Sequence, residues 1–200
     1  MPKRIESPRI LLRQFDIHDA EEFYALESAS MKIHLAPFSP MKEPVETIAE
    51  GVQATRKMMR ASFERWDDGF DYRFAVTLQA GGAIIGQTGI SNIIRGVSQS
   101  AFIGYWIGSD YLNNGYATEC VVLAMHYAFE FLHLHRISLW IAIENSASLR
   151  VAEKLKLRFE GTAIQALHLG GRWQDTHIYA ITSEEWAIQK NDFYSFLQVA

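Results

Sequence analysis

Gly104-Tyr105-Trp106-Ile107-Gly108-Ser109-Asp110-Tyr111-Leu112-Asn113-Asn114-Gly115-Tyr116-Ala117-Thr118-Glu119 passes from a strand-like segment, through a Gly/Asn loop, into the start of a helix. The helix beyond it has the clearest period in the chain. Val121, Ala124, Met125, Ala128, Phe129 and Leu132 recur at i, i+3, i+4 and i+7, with Glu119, His126, Glu130 and His133 on the other side. Amides at a helix start have no partner within the helix and carry positive partial charge, so such a junction can hold a phosphate. Gly115 and Ala117 are small enough to let a ligand approach the backbone. Asn-Asn-Gly is also a good hairpin turn. The helical rather than alternating period that follows tilts the reading toward an anion-binding loop.

Working outward, residues 100–107 read as a strand and residues 136–144 as another, near-continuously apolar through Ile143. A strand, a helix and a second buried strand suggest a parallel pair. Upstream, residues 72–78 and 83–94 read as strands joined to residues 100–107 by short turns, which implies an antiparallel meander. Residues 9–15 form a first strand and residues 16–30 a helix that Asp16 or Asp19 can cap. Two prolines make residues 36–40 a loop, and Pro44 suits the first turn of a second helix that ends at Asp67-Asp68-Gly69. Asn145 caps a helix to about Leu157. Strands 160–169 and 172–182 follow, joined by Gly170-Gly171. The expected architecture is an α/β domain over residues 1–190, with a mixed, mostly antiparallel sheet of about seven strands flanked by helices. Residues 191–200 are expected to be a tail.

Composition narrows the function classes. With 200 residues, 48% apolar and 21% charged, the chain is expected to build its own core. One cysteine, Cys120, excludes an internal disulfide and a Cys-based metal centre. A net charge of −4 implies no basic nucleic-acid-binding surface. No apolar run is long enough to span a bilayer, and no secretory leader is evident, so a reducing cytoplasm is the expected location. No metal site is expected.

Several motifs, taken in order, resemble the GCN5-related N-acetyltransferases, and within them the RimJ/RimL type that acetylates N-termini of ribosomal proteins. They are Ser7-Pro8-Arg9-Ile10-Leu11-Leu12-Arg13, Ile85-Gly86, Ser91-Asn92-Ile93-Ile94-Arg95-Gly96, the 104–119 stretch and His135-Arg136-Ile137, followed by Glu144-Asn145-Ser146-Ala147-Ser148, Phe159-Glu160-Gly161 and Gly171-Arg172-Trp173-Gln174-Asp175. The third and last pieces of that set, Ser-Asn-x-x-Arg-Gly and Gly-Arg-Trp-x-Asp, look most like the alanine-directed branch. The resemblance implies acetyl-CoA as co-substrate and a phosphate loop on Leu112-Asn113-Asn114-Gly115-Tyr116-Ala117, with Thr118 following. Leu112 stands where the family has a polar or cationic residue, and Lys156-Leu157 stands where it has Gly-Phe. The pantetheine arm is expected to pair beside Tyr105, Trp106 and Ile107 and to meet Asn145.

The chemistry needs a neutral amine to attack a thioester, donors for the oxyanion, and stabilisation of a leaving thiolate. The resemblance implies Glu160 as the base, through a water, and Ser148 as the proton donor to the thiolate. Phe38 would contact the acceptor. The acceptor implied is the α-amine of a protein or peptide. Small amines such as polyamines or aminoglycosides, and a non-catalytic CoA-binding module, are the rival readings. Monomer and homodimer are both open.

Overall fold

The computed structural model describes residues 1–41 and 44–197. Among these, the strands are β1 (Arg4–Glu6), β2 (Ile10–Gln14), β3 (Tyr72–Leu78), β4 (Ile84–Ile94), β5 (Ser100–Ile107), β6 (Arg136–Ala142), β7 (Arg158–Leu169) and β8 (Arg172–Thr182). They form one sheet in the order β1-β2-β3-β4-β5-β6-β8-β7. Every neighbouring pair is antiparallel except β5 and β6, which run parallel. The expected mixed sheet is therefore present with eight strands rather than seven. The added one, β1, spans only three residues, too few to show an alternating pattern.

The helices are α1 (Ala20–Ser30), α2 (Ile48–Asp67), α3 (Tyr116–His126), α4 (Ser146–Lys154) and α5 (Ser183–Ser195). Two differ from expectation. Helix α2 begins at Ile48, not at Pro44, because Thr47 and Glu50 close a reciprocal capping box that fixes the first turn there. Residues 191–195 belong to α5 rather than to a tail: Thr182 and Glu185 cap its start, and Phe193 is buried near its end. Residues 198–200 of the expected tail lie outside the described residues.

A core covers each face of the sheet. On one side α1 and α2 bury Phe23, Val52 and Met59 with Phe15, Ala75 and Ile84. On the other, α3 carries Val121, Val122, Leu123, Ala124 and Met125 into the larger core. Trp186 of α5 stacks on Phe129 at 5.4 Å between ring centroids and covers the outside of that helix. Glu119, expected on the polar side of α3, is instead wholly buried.

Candidate active site

The site begins where β5 and β6 part. They pair only at Ser100–Arg136, Ala101–Ile137 and Phe102–Ser138, yet β5 continues to Ile107 and β6 to Ala142. The backbone register shows which groups this leaves open. Gly108 N–H donates to Ile85 O at 2.8 Å, and an antiparallel ladder alternates, so Gly104 and Trp106 also turn their backbone groups toward β4. Tyr105 and Ile107 therefore turn theirs into the gap. Gln99, in the same alternation, offers its carbonyl to the Arg136 amide at 3.1 Å on that side. Two of the three expected pairing residues, Tyr105 and Ile107, can accept an extended ligand as an added strand. Trp106 contributes its ring instead, packed 5.5 Å from Phe23.

Beyond β5 the chain makes the loop that the sequence singles out. Gly115 is the α3 N-cap at φ +81°, a left-handed conformation that favours glycine. The first helical bond comes from Glu119 N–H to Gly115 O at 3.2 Å, so the amides of Tyr116, Ala117 and Thr118 have no acceptor in the helix. Asn114 folds its carboxamide back, donating to Tyr111 O and Leu112 O at 3.2 and 3.0 Å. Asn113 is left-handed at φ 62°. This loop and the gap open toward one another.

A cavity of about 370 Å³ joins them. Its walls include Tyr105, Trp106 and Ile107 from β5, Leu112 and Ala117 from the loop and α3, and Asn145 and Ser148 from α4. Asn145 Oδ1 accepts from Ser148 N–H at 3.1 Å, which caps α4 and leaves the carboxamide Nδ2 as a donor toward a ligand. The far wall is built from His34 and Phe38. Here α1 continues as a π-helical turn (Met31–Leu35) and a 3₁₀ turn (Ala36–Phe38). The β7–β8 hairpin fastens that wall: Gln174 donates to Pro37 O at 2.7 Å and Gly170 N–H to Ser39 O at 2.9 Å. Burial pushes the Tyr105 hydroxyl up to about 12, with the Ser148 hydroxyl opposing the rise. Cys120 lies behind this wall, where burial pushes its thiol up to about 12 and keeps it protonated.

The acetyltransferase (GNAT) domain profile matches residues 9–158, three-quarters of the chain. The chain belongs to the GNAT acetyltransferase family. Among similar curated proteins is the probable N-acetyltransferase YjcK of Bacillus subtilis, 32% identical over 181 residues, or 90% of this chain and 98% of that one. The ribosomal protein uS5-alanine N-acetyltransferase of Escherichia coli is 27% identical over 93% of this chain and 94% of its own. Among solved structures, Mycobacterium smegmatis RimJ in complex with CoA-disulfide superposes with a TM-score of 0.86 at 27% identity, covering 96% of this chain and 91% of that one. This GNAT chain is an N-acetyltransferase.

Of the expected site residues, Asn113, Asn114, Gly115, Tyr116 and Thr118 sit in the loop and first turn of α3 beside this GNAT cavity, and Glu160, the expected base, is not part of it. Glu160 sits on β7 between two guanidinium groups: Arg136 Nη1 donates to its Oε1 at 2.8 Å and Arg158 Nη2 to the same oxygen at 2.9 Å. Arg136 holds its carboxyl down at about 2, with Arg158 adding to the effect. A carboxylate so paired is a poor proton acceptor, and it does not line the cavity. The role of base is therefore withdrawn from Glu160. Its lowered carboxyl contributes stability that is present above the ordinary glutamate range and is lost as pH falls through about 4 toward 2. Glu160→Gln is expected to keep turnover within about threefold of wild type while flattening that acid-side loss. Steady-state rates and melting curves between pH 3 and 7 check both. His34, which does line the cavity, carries no sequence signal that marks it; it became visible only when the π turn set it against β5.

Proposed function

We propose that this GNAT chain transfers the acetyl group of acetyl-CoA to the α-amine of a protein or peptide, a ribosomal protein being the first to test. The observation that carries the reading is the gap between β5 and β6 leading to the α3 N-terminus. Tyr105 offers its backbone N–H and carbonyl along the gap and Ile107 its N–H, and the Tyr116, Ala117 and Thr118 amides lie beyond it without a helical acceptor, as a pantetheine arm followed by phosphates requires. The residues therefore fit acetyl-CoA on their own geometry. Leu112 in place of a cation costs little in this arrangement, because backbone amides and the α3 dipole do the phosphate work.

The α-amine is favoured over a polycation by the cavity wall. No aspartate or glutamate is among the described residues that line it. An α-amine, with a reference pKa of about 7.7–8.0, is substantially neutral near pH 7.5 and needs only modest help to lose its proton. The E. coli relative that acetylates an alanine of ribosomal protein uS5 aligns along nearly its whole length, which supports the same acceptor class. The test is thiol release from acetyl-CoA with peptides beginning Ala or Ser, beside spermidine and an aminoglycoside. Turnover with the peptides, abolished when their N-termini are blocked, is the expected result. Turnover with the small amines alone would transfer the assignment to them. Tight CoA binding with no acceptor turned over would favour a binding module.

A further inference from the structure

Three buried side-chain nitrogen or oxygen atoms lack a hydrogen-bond partner among the described residues: His34 Nδ1, Tyr105 Oη and Thr176 Oγ1. Two of them, those of His34 and Tyr105, belong to residues that line the one cavity described above. A buried polar atom left unpaired costs about 1–3 kcal/mol, so two in a single cavity mark a place kept for polar atoms of a ligand.

The two atoms offer opposite chemistry. His34 Nε2 lies 3.1 Å from Ile107 O. That carbonyl faces the gap, where β6 supplies it no partner. A carbonyl only accepts, so in the neutral ring Nε2 carries the hydrogen and Nδ1 is left with a bare lone pair. The bond also fixes the ring plane. Tyr105 Oη, in contrast, carries a proton, and the polar group that bears on it is the Ser148 hydroxyl. Among the described lining residues His34 is the one with a ring nitrogen that can take a proton; Tyr105, Ser39, Gln87, Asn145 and Ser148 add neutral polar groups, and no aspartate, glutamate, lysine or arginine is among them.

We propose that His34 Nδ1 takes the proton of the attacking amine and that Tyr105 Oη donates a hydrogen bond to the negative charge that develops as the thioester opens. The inference rests on the acetyl transfer proposed for this same cavity. The amine nitrogen forms a bond to the acetyl carbon, the carbon–sulfur bond breaks, and sulfur leaves with the electron pair as a thiolate. The amine proton goes to His34 Nδ1 and then to solvent. Tyr105 keeps its proton throughout. A phenol pushed up to about 12 will not hand its proton to a thiolate whose conjugate acid lies near 8.5, but it remains a donor at every working pH. Ser148, from the first turn of α4, bears on the same phenol.

The kinetic test uses His34→Gln, which keeps a donor for Ile107 O but has no titrating lone pair, and Tyr105→Phe, which removes only the hydroxyl. His34→Gln is expected to lower kcat by about a hundredfold or more while the KM for acetyl-CoA stays within about threefold. Tyr105→Phe is expected to cost about a hundredfold in kcat. Melting curves and CoA dissociation constants show whether each variant folds. Should His34→Gln disturb the fold, His34→Asn takes its place. Wild-type turnover in either folded histidine variant, or in folded Tyr105→Phe, overturns the proposal. A second arm needs no acceptor: ¹⁵N NMR of histidine-labelled protein, free and saturated with CoA. An Nε2–H tautomer at His34 supports the assignment, and an Nδ1–H tautomer overturns it. If no amine is turned over by the wild type, the functional reading fails and the inference with it; turnover by the wild type with an Nδ1–H tautomer at His34 overturns the inference alone.

Discussion

Replacing Glu119 with alanine is expected to lower the melting temperature by roughly 10 °C and to weaken acetyl-CoA binding about tenfold. The Glu119 side chain is 1% exposed. Its Oε2 accepts from Arg9 Nε and Nη2 at 2.9 and 2.6 Å, and its Oε1 accepts from the Ser7 hydroxyl. The carboxylate sits in the first turn of α3, where the helix dipole favours negative charge. Arg9, so oriented, reaches the loop with its third nitrogen: Nη1 donates to Asn114 O at 3.1 Å, and the guanidinium lies 4.9 Å from the Tyr116 ring centre. Deleting the carboxylate strands a partly buried cation and opens a void under the loop. Breaking one partner of a buried pair costs about 3–5 kcal/mol, and for a chain of this size each kcal/mol moves Tm by about 2–4 °C. The binding loss follows because Arg9 then no longer holds Asn114, and a tenfold change needs only about 1.4 kcal/mol. Glu119→Gln, which keeps the shape and removes the charge, should fall between. Arg9→Met added to Glu119→Met should recover part of the loss, since the unpaired cation is then gone. Differential scanning calorimetry and CoA titration read both effects; a Glu119→Ala protein melting within about 2 °C of wild type would remove the clamp from the account.

Much of this architecture was legible because local signals agreed with one another. The strand, Gly/Asn turn and helical period around Gly115 all pointed to a loop opening a helix, and the structure has that junction. The parallel pairing of β5 with β6 followed from a helix between two strands. The helix starts that went astray share one cause. Thr47-Ile48-Ala49-Glu50 and Thr182-Ser183-Glu184-Glu185 both carry the Thr-x-x-Glu capping box, but Pro44 and the supposed tail drew attention away from them. Those two were readable. The burial of Glu119 was not, because its partners Ser7 and Arg9 lie more than a hundred residues earlier.

The same distance effect governs the site residues. Asn145 and Ser148 were placed correctly at a helix start because capping is local. Glu160 was given a chemical role by the family resemblance at its strand start, while its chemistry is set by Arg136, which is 24 residues away and brought into reach through β8. His34 shows the reverse. Nothing in Met31-Lys32-Ile33-His34-Leu35 distinguishes it from an ordinary exposed helix residue, and only the π turn and the Ile107 carbonyl, which β6 does not pair, give it a partner. A pairwise tertiary bond, in each case, outweighed what the neighbours in sequence suggested.

Gly86→Ala is expected to destabilise the protein by about 3 kcal/mol or more and to raise the KM for acetyl-CoA severalfold. A Cβ on Gly86 would lie 2.2 Å from Trp106 O and 3.0 Å from Ile107 Cα. Both are backbone atoms of the neighbouring strand, so no side-chain rotation relieves the clash and the two strands must separate there. Gly86 pairs with Ile107. The displaced segment is therefore the stretch whose outer edge presents Tyr105 and Ile107 to the gap, and a shift toward β6 narrows the path proposed for the pantetheine arm. The stability loss and the KM rise thus have one origin and should appear together. Gly104→Ala is the matched control. Gly104 is on β5, the strand that Gly86→Ala would displace, and lines the cavity, but a Cβ there meets nothing within 4 Å. It should melt within about 2 °C of wild type. If Gly86→Ala and Gly104→Ala melt alike, the tight approach of β4 to β5 is not what sets the width of the gap, and the geometry of the donor site must be maintained from the β6 side, by the seven-residue ladder that β6 makes with β8.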